Sequence, residues 1–85
     1  MDGYKVLIKP SAVKELEGLP KRDRERTIQR IRRLSDDPRP SGYEKLSHED
    51  KYRARQGRYR LVYAFDDTAR TVLVVKIGHR REVYR

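Results

Sequence analysis

The residues best equipped for chemistry in this chain are arginines at alternate positions. In Tyr52-Arg53-Ala54-Arg55-Gln56-Gly57-Arg58-Tyr59-Arg60-Leu61-Val62-Tyr63, two alternating runs flank a glycine, which is the pattern of a β-hairpin. Side chains alternate faces along a strand, so Arg53 and Arg55 share one face. A Gln56-Gly57 loop sets Arg55 opposite Arg58 and Arg53 opposite Arg60; a Gly57-Arg58 loop sets Arg55 opposite Arg60. Either way Arg60 joins Arg53 and Arg55. Like charges directly across a strand pair destabilise it by a few tenths to about 1 kcal/mol. Local conflicts of this kind mark functional sites, and gathered guanidinium groups suit an anion, above all a phosphate that they can grip bidentately. A second basic run, Gly78-His79-Arg80-Arg81-Glu82-Val83-Tyr84, ends in a tyrosine.

The net charge of +9 is unevenly spread. Residues 1–50 carry 12 Lys and Arg against 10 Asp and Glu, whereas residues 51–85 carry 10 against 3. The basic C-terminal part predicts a polyanion such as nucleic acid, or an acidic protein, as partner. A membrane surface is not expected, because no basic amphipathic helix presents a Trp/Phe/Leu face and no apolar run approaches the length of a signal or transmembrane segment. The absence of cysteine removes disulfides and thiolate metal sites together and predicts a cytoplasmic protein. Two histidines, His48 and His79, do not make a metal site, so neither metal nor cofactor is expected.

The elements that must position these residues are short. Eighty-five residues form one small domain, 1–85, with room for one thin core. Tyr4 to Lys9 alternates as a first strand. Ser11 is a candidate N-cap for a helix through about Glu17, with Ala12, Val13, Leu16 and Leu19 in one stripe. Gly18-Leu19-Pro20 separates it from a longer amphipathic helix, Lys21 to about Ser35, carrying Ile28, Ile31 and Leu34. Asp36-Asp37-Pro38 stops that helix, and residues 43–50 are ambiguous, with Leu46 as an anchor. The hairpin and a last strand, Thr71–Ile77, joined through Asp66–Arg70, should form an antiparallel meander. The expected fold class is α+β: an antiparallel sheet packed by two N-terminal helices in the order β-α-α-β-β-β. Tyr59, Leu61, Tyr63 and Phe65 make the helix-covered face, which leaves Arg60, Val62 and Ala64 on an open one.

Plainer readings attach to each candidate. The arginine array can be a solvated strand face, and Tyr84 a frayed terminal aromatic. Tyr52, Tyr59 and Tyr63 could stack on bases, but their alternation with arginine assigns them to the core. His48 and His79 read as surface residues, and the Lys21–Arg33 helix, with Asp23 and Glu25 interleaved, as a salt-bridged outer face.

The hairpin Tyr52–Tyr63 and the run Val75-Lys76-Ile77-Gly78-His79-Arg80-Arg81-Glu82-Val83-Tyr84, with the opening strand-helix-Leu19-Pro20 unit in support, resemble the RelE branch of the RelE/ParE superfamily of toxins from toxin-antitoxin pairs. The resemblance implies a ribosome-dependent, metal-independent endoribonuclease that cuts mRNA in the ribosomal A site, inhibits translation and is held by a cognate antitoxin as a hetero-oligomer. It places the phosphate-binding positions at Arg53 and Arg55, with Arg58 and Arg81 as further contacts, and the catalytic ones at Arg60, Arg80 and Tyr84. Where some relatives carry lysines, this chain has Arg53 and Arg55, which cannot shuttle protons. Two rivals are a ParE-like toxin acting on DNA gyrase and a non-catalytic nucleic-acid-binding or degenerate toxin domain.

Overall fold

Each element follows from its local sequence. The computed structural model describes residues 3–46 and 50–79. Strand β1 (Lys5–Ile8) alternates exposed Lys5 and Leu7 with half-buried Val6 and Ile8. Pro10 opens helix α1 (Pro10–Glu17) at its first position, where a missing N–H is harmless and the fixed φ already fits. Ser11 therefore lies inside the helix, and Lys9 occupies the cap without a side-chain hydrogen bond. Ala12 and Leu16, one turn apart, are buried. Helix α2 (Lys21–Asp36) starts after Pro20 and turns Thr27, Ile31 and Leu34 inward. It ends because Asp37, ahead of Pro38, is extended, with φ −149° and ψ 101°.

The remaining strands are β2 (Glu44–Lys45), β3 (Tyr52–Gln56), β4 (Tyr59–Asp66) and β5 (Thr71–His79), and the sheet order is β1-β5-β4-β3-β2. The expected α+β class and the antiparallel meander β3-β4-β5 are both present. Two features enlarge that picture. β1 lies parallel to β5, which makes the sheet mixed, and the short β2 supplies a fifth strand from the stretch left ambiguous by sequence. Both helices cover one face, where Leu61, Tyr63, Val72, Val74 and Ile77 pack against Ala12, Leu16, Ile31 and Leu34.

A β-bulge sets which β5 residues reach that core. Val62 faces Lys76 across the ladder, but Tyr63 faces Val74, so Val75 is the extra residue. Val74 and Ile77 are three apart, yet both are buried. Strict alternation from Val72 and Val74 would have sent Lys76 inward. The bulge turns Lys76 outward beside Val62 and puts Gly78 next to Arg60 on the uncovered face.

Beyond Val74, β5 has no neighbouring strand on its outer side among the described residues, because the pairing with β1 stops at Ile8. Glu15 of α1 takes that place. Its Oε1 accepts the Ile77 N–H at 2.9 Å, and its Oε2 lies 3.2 Å from Lys76 Nζ. A carboxylate thus satisfies an edge donor that would otherwise invite another strand. On the uncovered face, Leu7 and Leu73 pair in register and stay exposed, an apolar end opposite the basic one.

Candidate functional site

The hairpin loop is Gly57-Arg58, the second of the two possibilities, because Gln56 pairs with Tyr59. Gly57 has φ +61° and Arg58 does not share the positive sign, which is the pattern of a type II′ turn. A Cβ at Gly57 would meet nothing within 4 Å, so substitution strains only the backbone. Gly57→Ala is expected to cost about 1–2 kcal/mol, the price of a left-handed L-residue. Thermal unfolding should show this as a Tm lower by several degrees.

This loop sets the register of the arginines. Arg55 is opposite Arg60, Arg53 is opposite Val62, and Arg60 is opposite Gly78 on its other side. The intervening Ala54 and Leu61 belong to the core. Arg53, Arg55 and Arg60 therefore all lie on the sheet face away from the helices. Arg60 is only 2% exposed, whereas Arg55 is exposed and Arg58 sits exposed in the turn. Arg80, Arg81 and Tyr84 lie outside the described residues, as does His48.

One residue of this face was missed by sequence reasoning. Glu44 of β2 is directly opposite Arg53, and its Oε1 accepts from Arg53 Nε at 2.9 Å and lies 2.8 Å from Nη2. The hydrogen bond from Arg53, then the Arg53 charge, holds the Glu44 carboxyl below the usual carboxylate range, and the charges of Arg55 and Arg60 act in the same direction. A single carboxylate thus feels all three guanidinium groups. Tyr43-Glu44-Lys45-Leu46 reads apolar-polar-polar-apolar without alternation, so the two-residue strand that carries Glu44 left no signal in the sequence.

Tyr52 and Tyr63 belong to the core as expected, whereas Tyr59 does not join it. Tyr63 is fully buried, donates its hydroxyl to the Pro38 carbonyl at 2.7 Å, and has its phenol pKa pushed up by burial. Tyr52 packs between Tyr43 and Phe65, at 5.7 and 4.8 Å between ring centres. Tyr59 meets exposed His79 edge-on at 5.9 Å. These last two line a cleft of about 390 Å³ with Lys14 and Leu19. Tyr59 and Arg60 point to opposite faces, so that cleft is separate from the arginine face. Among the described residues, no cluster of His, Asp and Glu could hold a metal ion.

Arg60, Val62 and Gly78 are buried, so this face is not open around Arg60 as strand alternation alone predicts, and its exposed positive charge and hydrogen-bond donors for a phosphate come from Arg55 and Arg58. Arginine keeps its proton in proteins, so these residues stabilise charge and a general base must come from elsewhere.

Two helices thus lie on one side of a five-stranded sheet, and Arg53, Arg55 and Arg60 gather on the other. The family described as ParE toxin of type II toxin-antitoxin system, parDE, matches residues 6–84. The chain superposes on a chain of the RelBE2 toxin-antitoxin complex from Mycobacterium tuberculosis with TM-score 0.81 and 31% identity, covering 92% of this chain and 99% of that one. A chain of the archaeal RelE-RelB complex from Pyrococcus horikoshii OT3 gives TM-score 0.83 and 31% identity, over 94% and 97% of the two chains. An E. coli RelE variant in the free state gives 0.81 and 27%, over 96% and 90%. Toxin RelG of M. tuberculosis is 44% identical over 34 residues, a stretch spanning 40% of this chain and 39% of that protein. The chain belongs to the RelE/ParE superfamily of type II toxin-antitoxin toxins.

Proposed function

We propose that this toxin is a ribosome-dependent endoribonuclease that needs no metal, cuts mRNA in the ribosomal A site and so inhibits translation. The observation that carries the reading is the register of Arg55 with Arg60 on the uncovered face, with Arg53 on the same side. In the proposed reaction, a ribose 2′-hydroxyl attacks the neighbouring phosphate, leaving a cyclic phosphate and a free 5′-hydroxyl. Arg53 and Arg55, with Arg58 and Arg81, grip the phosphate backbone. Arg60 and Arg80 stabilise the charge that builds on the phosphorane. Tyr84, in the role that family likeness gives it, takes the 2′-hydroxyl proton as a phenolate, and the departing 5′-oxygen takes a proton from water. The structural neighbours from RelBE2 and from the P. horikoshii RelE-RelB complex are parts of toxin-antitoxin complexes. By likeness, a cognate antitoxin holds this chain as a hetero-oligomer in the cytoplasm; among the described residues, no helix is long and apolar enough to cross a membrane.

The family description names ParE, which favours a second reading as a gyrase-directed toxin. Inducible expression with mapping of transcript ends separates the two. New ends within translated coding sequence, lost when initiation is blocked, are expected. Intact transcripts with gyrase-dependent DNA breaks would select the second reading.

A further inference from the structure

We propose that Glu44 is an internal competitor for the RNA phosphate, occupying the Arg53 end of the arginine face and displaced when a phosphate binds there. This inference rests on the RNA-binding reading of that face. One carboxylate oxygen takes both Arg53 contacts, at 2.9 Å from Nε and 2.8 Å from Nη2. A phosphate oxygen seeks the same pair of donors. Glu44 thereby stands where the ligand's oxygen would stand.

Its setting suits displacement. The Glu44 side chain is 56% exposed against 20% for Arg53, so the carboxylate is on the solvent side of the pair and can leave without unpacking the core. It belongs to the two-residue edge strand β2, which touches the sheet only through β3. Exposed ion pairs hold weakly. A phosphodiester that reaches exposed Arg55 as well as Arg53 has more to gain from this face than one carboxylate does. Glu44 also offsets the like-charge conflict among the arginines in the free protein, since the fields of Arg55 and Arg60 both reach it. The same residue thus steadies the empty face and weakens its grip on RNA, which sets an affinity below what three arginines alone would reach.

The test compares wild type with Glu44→Gln by fluorescence anisotropy of a labelled single-stranded oligoribonucleotide over a sodium chloride series. Glu44→Gln should bind roughly two- to five-fold more tightly, the range that an exposed ion pair spans. The slope of log K against log salt should stay nearly the same, because Arg53 neutralises the same phosphate in both proteins once Glu44 is displaced. Adding Arg53→Gln to Glu44→Gln should erase the gain. Glu25→Gln, on the exposed side of α2, changes the net charge equally and should not reproduce the gain. The proposal is overturned if Glu44→Gln only lowers the Tm, or if it shifts binding no more than Glu25→Gln does. Failure of wild type and variant alike to bind the oligonucleotide overturns the competitor role and leaves the ribosome-dependent reading to the transcript mapping. The predicted gain in affinity in a protein that cuts no transcripts would remove that reading and leave the competitor role standing.

Discussion

Arg60→Ala is expected to lower mRNA cleavage on programmed ribosomes by about 10²- to 10³-fold, the usual loss when one preorganised donor to a developing oxyanion is removed. The size follows from where Arg60 sits. It is 2% exposed, and a charge shielded from water acts on a transition state through a lower effective dielectric than a surface arginine does. Its neighbours across the ladder are Arg55 and Gly78, and Gly78 is itself buried, so the site around the guanidinium is shielded from water. Arg60→Lys keeps the charge but loses the planar fork, so its rate should fall between those of wild type and Arg60→Ala. Single-turnover cleavage gives the rate, and thermal unfolding checks that the variants fold. A folded Arg60→Ala protein that cuts within a few-fold of wild type would remove Arg60 from the transition state.

The arginine face was legible in sequence because it depends on local rules alone. Alternation puts Arg53 and Arg55 on one side, and either loop length brings Arg60 to join them. Choosing the loop required the strand register, in which Gln56 pairs with Tyr59 and leaves Gly57-Arg58 as the loop. The two helices were legible for the same reason: the spacing of Ala12 and Leu16, and of Ile31 and Leu34, is set within each helix. Pairings between distant segments were not. Nothing within Lys5–Ile8 says that its partner is Thr71–Val74 or that the two run parallel. The apolar run Val72-Leu73-Val74-Val75 hides its own parity, so the bulge at Val75, which decides whether Lys76 or Ile77 is buried, could not be read there. Glu15 escaped because it acts on Ile77, 62 residues along the chain, and Glu44 because the strand that sets it opposite Arg53 is only two residues long. Arg80, Arg81 and Tyr84 lie outside the described residues, and their roles are carried by family likeness alone.

The largest effect on stability is expected at Tyr63, which ties the loop after α2 to the middle of the sheet. Its ring is fully buried, within 6.0 Å of Tyr52 and 6.2 Å of Phe65 between centres, and its hydroxyl reaches the Pro38 carbonyl. Tyr63→Ala removes a large buried aromatic, a loss of about 3–5 kcal/mol. Domains have only about 5–15 kcal/mol in total, and a chain of this size lies toward the low end, so this variant should be largely unfolded at 37 °C. Tyr63→Phe isolates the hydrogen bond. It keeps the ring but leaves a buried carbonyl without its donor, at about 1–3 kcal/mol, and each kcal/mol lowers the Tm of a small domain by about 4–8 °C. Tyr63 faces the helices, while Arg60, three residues earlier on the same strand, faces the opposite side. Tyr63→Phe should therefore lose stability and keep its cleavage rate at 25 °C, whereas Arg60→Ala should lose far more rate than stability. Parallel losses of rate and stability in both variants would mean that the two faces of β4 are not independent, and that the arginine register depends on how tightly Tyr63 holds the strand from behind.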